Sequence, residues 1–142
     1  MPIPGTDLTP ETKILVVDDM TTVRQEIVAC LKILGFKNIS EAKNGKEAWE
    51  KLRMDAQFDS PFEFIFTDIN MPHCNGIQLL KYIRGTETYT TTPVVMISTE
   101  NEKDIILTAI QEGASNYILK PFTADIIKEK MAQCLKLSLI HI

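Results

Sequence analysis

The sequence has little cysteine, and its cysteines form no pattern. Its 142 residues include three of them, Cys30, Cys74 and Cys134, which are widely spaced and stand in no C-x-x-C or Cys/His arrangement. Scattered thiols in odd number argue against a disulfide framework and against a zinc site, because both need closely paired ligands. The three thiols are therefore expected to be reduced.

The sequence also lacks any long apolar segment. No stretch approaches the ~18–20 apolar residues that span a bilayer, and residues 1–7 lack the basic flank and apolar run of a secretory signal. We therefore expect a cytoplasmic protein without a membrane partner. The net charge of −4 gives no excess of Lys and Arg, so nucleic acid is not expected as a partner either.

What the sequence does contain is a regular alternation of short apolar runs and segments with helical periodicity. The apolar runs cover residues 13–17, 38–42, 64–67, 93–97 and 116–119, and a helical segment follows each of them. Short continuous runs rich in β-branched residues are typical of strands that are buried on both faces. A succession of five β-α units predicts one α/β domain, with a parallel sheet covered by helices on both sides.

The segments outside this alternation are predicted as follows. Residues 1–12 form a flexible N-terminal arm, residues 13–138 form the domain, and residues 139–142 form an apolar C-terminal tail. Within the domain, residues 55–62 are expected to be a loop, and residues 86–92 a polar connection. The apolar tail is either an extension of the last helix that packs on the domain or a contact for self-association or a partner.

Polar residues stand where the predicted strands end. Asp18 and Asp19 follow the first strand, Asp68 the third, Ser98 the fourth and Lys120 the fifth. Ligands of open α/β sheets bind at the carboxyl ends of the strands, so these side chains are expected to meet at one rim. Each residue alone would be read as a helix cap or a solvated loop residue. Their occurrence together at successive strand ends favours a functional site.

The residue types at this rim suit phosphoryl chemistry. Three neighbouring carboxylates repel one another unless a cation neutralises them. Oxygen ligands without His or Cys favour a hard ion such as Mg²⁺. Asp68 could then act as a nucleophile toward phosphorus, while the metal and Lys120 offset the charge on the transferred group. The Ser98 hydroxyl could donate a hydrogen bond to that group.

These residues stand in motifs that resemble the receiver domain of response regulators, in particular the single-domain receivers of chemotaxis. The motifs are Leu15-Val16-Val17-Asp18-Asp19, Thr67-Asp68-Ile69-Asn70-Met71-Pro72, Asn75-Gly76, Ser98-Thr99-Glu100 and Lys120-Pro121-Phe122. The resemblance covers about residues 13–137. It implies a flavodoxin-like, doubly wound sheet of five parallel strands in the order 2-1-3-4-5, with five helices. It also implies a cis peptide bond between Lys120 and Pro121.

The resemblance assigns roles at the rim by motif. Asp68 would be the phosphoacceptor, and Ser98 and Lys120 would contact the phosphoryl group. Asp18, Asp19 and Asp68 would bind Mg²⁺ together with the backbone carbonyl of Asn70.

Further roles concern the switch and the output surface. Tyr117 resembles an aromatic residue that turns inward when the active-site hydroxyl moves, although a half-buried aromatic on an edge strand is the plainer interpretation. Glu100 matches a position that tunes the lifetime of the phosphate. The surface around Tyr117, Glu100, Asn101 and Lys130 would contact the output partner.

The function that the resemblance implies is that of a two-component response regulator in chemotaxis. Such a protein accepts a phosphoryl group from a histidine kinase and then changes its affinity for the flagellar motor switch protein, and a phosphatase can be a further partner. It is expected to be a monomer. We expect a signalling module rather than an enzyme. Such a module catalyses only its own phosphorylation and its own slow dephosphorylation.

Two alternatives share much of this chemistry. The first is a stand-alone receiver of a phosphorelay outside chemotaxis, which would differ only in its partner. The second is a phosphatase of the haloacid-dehalogenase type, which also uses Asp, Lys and Mg²⁺. That enzyme needs a second Asp two residues after the nucleophile as general acid, and this chain has Asn70 there.

Overall fold

Five short strands form one parallel sheet in the order β2-β1-β3-β4-β5. The computed structural model describes residues 3–140 and the side chains of residues 3–135. The strands are β1 (Ile14–Val17), β2 (Ile39–Ala42), β3 (Phe64–Thr67), β4 (Val94–Ser98) and β5 (Asn116–Leu119). Every residue of β1, β3 and β4 is buried, because helices cover both faces of the sheet. The predicted flavodoxin-like, doubly wound fold and its strand order are confirmed.

Each strand is followed by a helix. The helices are α1 (Thr21–Ile33), α2 (Gly45–Gln57), α3 (Gly76–Arg84), α4 (Lys103–Gln111) and α5 (Ala124–Ile140). Asn44 and Asn75 cap α2 and α3, since each side chain accepts a hydrogen bond from a backbone N–H of the first turn. Among the helices that the structure describes, none is long and apolar enough to cross a membrane.

The inner strands supply two hydrophobic cores, one on each side of the sheet. Successive side chains of a strand point to opposite faces, so Val17 and Ile65 enter one core while Val16 and Phe66 enter the other. The first core packs under α2, α3 and α4 through Leu52, Leu79, Leu80 and Ala109. The second packs under α1 and α5 through Ile27, Leu31, Ile127 and Met131. The site at the strand ends therefore rests on a sheet fixed from both sides.

The connection after α2 is shorter than the sequence predicts. Residues 55–62 were expected to be a loop, but α2 continues to Gln57. The ammonium of Lys13 lies 2.7 Å from a carboxylate oxygen of Asp55 and also donates to the carbonyl of Ser60. These contacts hold the last turn of α2 and the following loop at the start of β1. The prediction failed because Ser60-Pro61, in the middle of the connection, does not indicate where the preceding helix ends.

The polar connection 86–92 contains a buried anchor. A 3₁₀ helix spans Glu87–Tyr89, and the Tyr89 ring is fully buried. Its hydroxyl donates a 2.6 Å hydrogen bond to the carbonyl of Leu52 in α2. A single aromatic residue among threonines has no periodicity, so the sequence gives no sign of this contact.

The N-terminal arm carries two buried side chains. Ile3 is 2% exposed and Leu8 is 7% exposed, and both lie in the core under α1 and α5. The carbonyl of Pro10 also accepts a 2.8 Å hydrogen bond from the backbone of Lys37. The sequence predicts a flexible arm over residues 1–12, whereas the described part, residues 3–12, lies against the domain. Isolated apolar residues among Pro, Gly and Thr give no pattern from which this packing could be inferred.

The sequence predicts that the domain ends at residue 138 and that residues 139–142 form a separate tail. Helix α5 continues to Ile140, so the predicted domain end at residue 138 falls within it. The side chains of the predicted tail, residues 139–142, lie outside the described residues.

Replacing Leu8 by alanine tests whether the arm belongs to the folded domain. We expect Leu8→Ala to lower the free energy of unfolding by about 2–3 kcal/mol, because it removes a side chain from a packed core. Urea denaturation followed by circular dichroism measures the change. Glu11→Ala, an exposed position in the same arm, is the control and should change stability little. Equal stability of Leu8→Ala and wild type would mean that the arm contributes nothing to the fold.

Candidate functional site

The ends of β1, β3 and β5 bring two carboxylates and one ammonium into direct contact. Asp18 and Asp68 follow neighbouring strands, and the backbone N–H of Asp68 donates to the carbonyl of Val17. The Lys120 ammonium lies 2.9 Å from Asp18 Oδ2 and 3.2 Å from Asp68 Oδ2. The Lys120–Pro121 peptide bond that follows is cis, as predicted. Three residues that are 50 or more positions apart in the chain thus meet at one rim.

A third carboxylate completes an acidic cluster. One carboxylate oxygen from each of Asp18, Asp19 and Asp68 lies within 4.8 Å of the others. Asp18 is fully buried and Asp68 is 7% exposed, whereas Asp19 is open to solvent. The three side chains supply hard oxygen ligands, and the cluster is open to solvent on the side of Asp19. Divalent cations that prefer oxygen ligands bind such a set. The residues present therefore fit a metal ion.

The backbone fixes the orientation of the two buried carboxylates. Asp18 Oδ1 accepts a 2.9 Å hydrogen bond from the N–H of Met20, and Asp68 Oδ1 accepts a 2.7 Å hydrogen bond from the N–H of Ile69. The second oxygen of each carboxylate is the one that contacts Lys120. Both groups are thus held in place before any ligand binds.

The electrostatic balance of the cluster depends on burial. Burial raises the pKa of Asp18, although the N–H of Met20 and the ammonium of Lys120 act in the opposite direction. For Lys120, burial alone would lower the pKa, but the hydrogen bond to Asp18 and the charges of both carboxylates outweigh it, so the pKa is raised. Lys120 therefore stays cationic at neutral pH, and ionisation of Asp18 carries an energetic cost that a bound cation would offset.

Arg24 supports the site, and the sequence analysis did not single it out. Its Nη1 donates a 2.8 Å hydrogen bond to the backbone carbonyl of Asp18, and its Nε lies 2.9 Å from Glu41 Oε1. Glu41 belongs to β2, so Arg24 joins α1, the end of β1 and the edge strand. The only sequence signal was an arginine in the first turns of the helix after Asp18-Asp19. It acts on the cluster through the backbone and is a positioning residue.

Ser98 at the end of β4 and Tyr117 on β5 both contact the loop that follows β4. Ser98 is fully buried, and its hydroxyl oxygen accepts a 3.1 Å hydrogen bond from the N–H of Glu100. The Tyr117 hydroxyl donates a 2.7 Å hydrogen bond to the carbonyl of Glu100. Burial raises the pKa of the Tyr117 phenol. Tyr117 is thus half-buried and held by its hydroxyl, and one short loop contacts both the end of β4 and the side chain on β5.

The remaining predicted residues lie around this centre. Asn70 is exposed in the loop after Asp68, and its carbonyl as a metal ligand stays a prediction. Asn101 is exposed just before α4, and Lys130 is half-buried on α5. The Lys130 carbonyl accepts a 3.3 Å hydrogen bond from Asn116 of β5. Asn101 and Lys130 belong to the side formed by α4, β5 and α5, whereas Asn70 belongs to the loop between β3 and α3.

Comparison with known proteins agrees with this geometry. The family profile described as the response regulator receiver domain matches residues 14–132. The chemotaxis protein CheY1 of Helicobacter pylori is 44% identical over 119 residues, which are 84% of this chain and 93% of that protein. A chemotaxis protein CheY homolog of Campylobacter jejuni is 40% identical over 123 residues, 87% of this chain and 92% of its own length.

A solved structure shows the same fold. The chemotaxis protein CheY4 of Vibrio cholerae superposes with a TM-score of 0.77 at 27% sequence identity. The superposition covers 87% of this chain and 98% of that one. The matched residues 14–132 of the family profile contain all five strands and the three carboxylates of the acidic cluster.

Replacing Asp68 by asparagine tests the repulsion within the cluster. Two negative charges 4.8 Å apart, the upper limit for the oxygen separations in this cluster, repel by about 3.5 kcal/mol at an effective dielectric constant of about 20, and the single ammonium of Lys120 offsets only part of this. Without divalent cations at neutral pH, we expect Asp68→Asn to raise the free energy of unfolding by about 1–2 kcal/mol. Asp7→Asn, an exposed position, is the control for a lost negative charge.

The gain in the free energy of unfolding that we expect for Asp68→Asn should depend on pH. Because the pKa of Asp18 is raised in the fold, its contribution to stability is present below its ordinary value of 3.8 and is lost as the pH rises through the folded value. The advantage of Asp68→Asn should therefore shrink on acidification. A wild type that is the more stable protein at neutral pH would show that Lys120 fully compensates the carboxylates. Chemical denaturation at several pH values separates these outcomes.

Proposed function

Because this chain belongs to the response regulator receiver family, we propose that Asp68 accepts a phosphoryl group from a histidine kinase in the presence of Mg²⁺. The chain is a CheY-like response regulator of chemotaxis by its similarity to CheY proteins. The observation that carries the proposal is the Lys120 ammonium between Asp18 and Asp68, which with Asp19 form an acidic cluster. We further propose that the protein acts in the cytoplasm as a monomer.

In the proposed phosphoryl transfer, each side chain at this rim has a separate role. A carboxylate oxygen of Asp68 attacks the phosphorus, so that the new P–O bond forms as the P–N bond to the kinase histidine breaks. Lys120 offsets charge on the phosphoryl oxygens, and Ser98, whose oxygen now accepts from Glu100, can donate its own proton to one of them. When bound by Asp18, Asp19 and Asp68, Mg²⁺ supplies further positive charge to the same oxygens.

The proposed output is a change at the surface of α4, β5 and α5. A phosphoryl group that draws on Ser98 alters the loop to which Tyr117 is hydrogen bonded. The same face exposes apolar side chains, namely Leu107, Ile110, Leu119 and Ile126. An exposed apolar face of this kind suits a protein partner, for which we propose the flagellar motor switch protein. The partner shifts the equilibrium only by preferring one of the two states.

We propose a signalling module rather than a phosphatase with turnover on small substrates. In the haloacid-dehalogenase alternative, a second Asp would stand two residues after the nucleophile. Asn70 occupies that position here, and an amide cannot exchange a proton as a general acid and base. Asp68 therefore has no acid partner for rapid turnover, and slow loss of the phosphoryl group is what the rim supports.

A small phosphodonor tests the phosphoacceptor directly. Incubation with acetyl phosphate should give one phosphoryl adduct in the intact mass, dependent on Mg²⁺ and labile to hydroxylamine as an acyl phosphate is. Asp68→Asn should give none, and Asp7→Asn should behave like wild type. An unmodified wild type, or an adduct that persists in Asp68→Asn, would overturn the assignment.

Binding to the flagellar motor switch protein tests the output. Phosphorylated protein should bind about tenfold more tightly than unmodified protein, a difference within the usual range for coupled sites. Ile110→Ser on α4 should weaken this binding, and Ile33→Ser, an exposed apolar position on α1, should not. Calorimetry measures the affinities. If phosphorylation leaves motor switch binding unchanged and the phosphoryl group passes to a histidine phosphotransfer domain, the protein belongs to a phosphorelay instead.

A further inference from the structure

A pocket away from the acidic rim lies between the start of α2, the loop after Asp68 and α3. Its volume is about 490 Å³, within the ~300–1,000 Å³ that small-molecule sites occupy. Gly45 and Lys46 border it from α2, His73 and Cys74 from the loop, and Tyr82 from α3. The proposed phosphoryl transfer uses none of these side chains.

Three polar side chains at this pocket, those of Lys46, His73 and Gln78, have nitrogen atoms that form no hydrogen bond or ion pair among the described residues. Lys46 and His73 make no hydrogen bond or ion pair within the part of the chain that the structure describes. Gln78 uses its side-chain oxygen to cap α3 by accepting from the N–H of Asn75, which leaves its amide nitrogen as a donor. No carboxylate lines the pocket. The charge at this site is therefore complementary to an anion.

The remaining wall is aromatic. Trp49 and Tyr82 stack with their ring centroids 5.6 Å apart and their planes at 29°. The Tyr82 side chain is 54% exposed and Trp49 is half-buried, so both rings keep surface in contact with solvent. A solvent-exposed pair of stacked rings offers a flat apolar surface on which a planar ligand stacks well.

The floor of the pocket is part of the loop that carries Asp68. A Cβ on Gly45 would lie 2.3 Å from the carbonyl oxygen of Cys74, so α2 begins in direct contact with this loop. At the other end of the loop, a Cβ on Gly76 would lie 2.0 Å from the carbonyl oxygen of Asp68. His73 and Cys74, with φ of 62° and 135°, lie between these contacts. Displacement of the loop at Asp68 therefore moves the pocket floor.

We propose that this pocket binds a small planar organic anion, such as an aromatic carboxylate. The rings of Trp49 and Tyr82 hold its flat body, and Lys46 and Gln78 hold its carboxylate. Its occupancy is coupled to the state of Asp68 through the shared loop, and this coupling alone rests on the proposed phosphorylation.

The single tryptophan of the chain reports on the pocket directly. Trp49 gives the one indole N–H signal in a ¹H–¹⁵N spectrum of the full chain. Naphthalene-2-carboxylate should shift this signal with a Kd on the order of 1 mM, as expected for a ligand of that size. The neutral naphthalene-2-carboxamide, which has the same shape, should bind at least about threefold more weakly, since it lacks the charge that Lys46 recognises.

Two variants separate the anion contact from the stacking contact. Lys46→Gln should bring the affinity for the carboxylate down to that for the carboxamide, while Lys81→Gln, an exposed neighbour outside the pocket, should change neither. Tyr82→Ala should lower the affinity for both the carboxylate and the carboxamide. Absence of a shift, or equal affinity for both probes in wild type, would overturn the anion site.

The coupling has its own test. Beryllofluoride with Mg²⁺, a mimic of the phosphoryl group, should change the affinity for naphthalene-2-carboxylate by at least about twofold, and by linkage the carboxylate should change beryllofluoride affinity by the same factor. Asp68→Asn should keep the binding and lose the coupling. An affinity unchanged by beryllofluoride in wild type would overturn the coupling, whereas binding to Asp68→Asn establishes the pocket even if Asp68 accepts no phosphoryl group.

Discussion

The arrangement of the candidate site depends above all on the contact between one ammonium and two buried carboxylates at the carboxyl edge of the sheet. Buried charges are expensive unless they are paired, and Lys120 is the ion-pair partner of both Asp18 and Asp68. Parallel strands in the order β2-β1-β3-β4-β5 make the pairing possible, because they present all their carboxyl ends on one side. Arg24 and the N–H groups of Met20 and Ile69 fix the geometry.

From this centre, two short paths lead to the surface. One runs from Ser98 to the N–H of Glu100 and from the Glu100 carbonyl to the Tyr117 hydroxyl, and so reaches the face of α4, β5 and α5. The other runs along the loop from Asp68 to Cys74 and reaches the start of α2. Both consist of direct contacts between neighbouring groups. These are the two routes by which the proposed phosphoryl group on Asp68 would act on the surface.

The sequence predicts the fold well because the signals of this fold are local. Strands buried on both faces require continuous apolar runs, and residues at strand ends are recognised by where those runs stop; Asp68 after β3 and Lys120 after β5 are examples. The sequence does not predict contacts that single side chains make over long distances. Tyr89 reaches the carbonyl of Leu52, and Arg24 reaches that of Asp18. A side chain that binds a backbone carbonyl needs no particular partner residue, so it leaves no pattern.

Gly45 and Gly76, the first residues of α2 and α3, hold both helices against the loop that follows Asp68. Close packing lets an element move only if its neighbours move with it. At Gly45 and Gly76 the backbone of each helix touches the backbone of the loop at distances that no side chain would allow. His73 and Cys74 in this loop have positive φ angles of 62° and 135°, a backbone conformation that costs about 1–3 kcal/mol per residue. A strained segment clamped at both ends has few alternative conformations, and this makes it suited to switching between two of them.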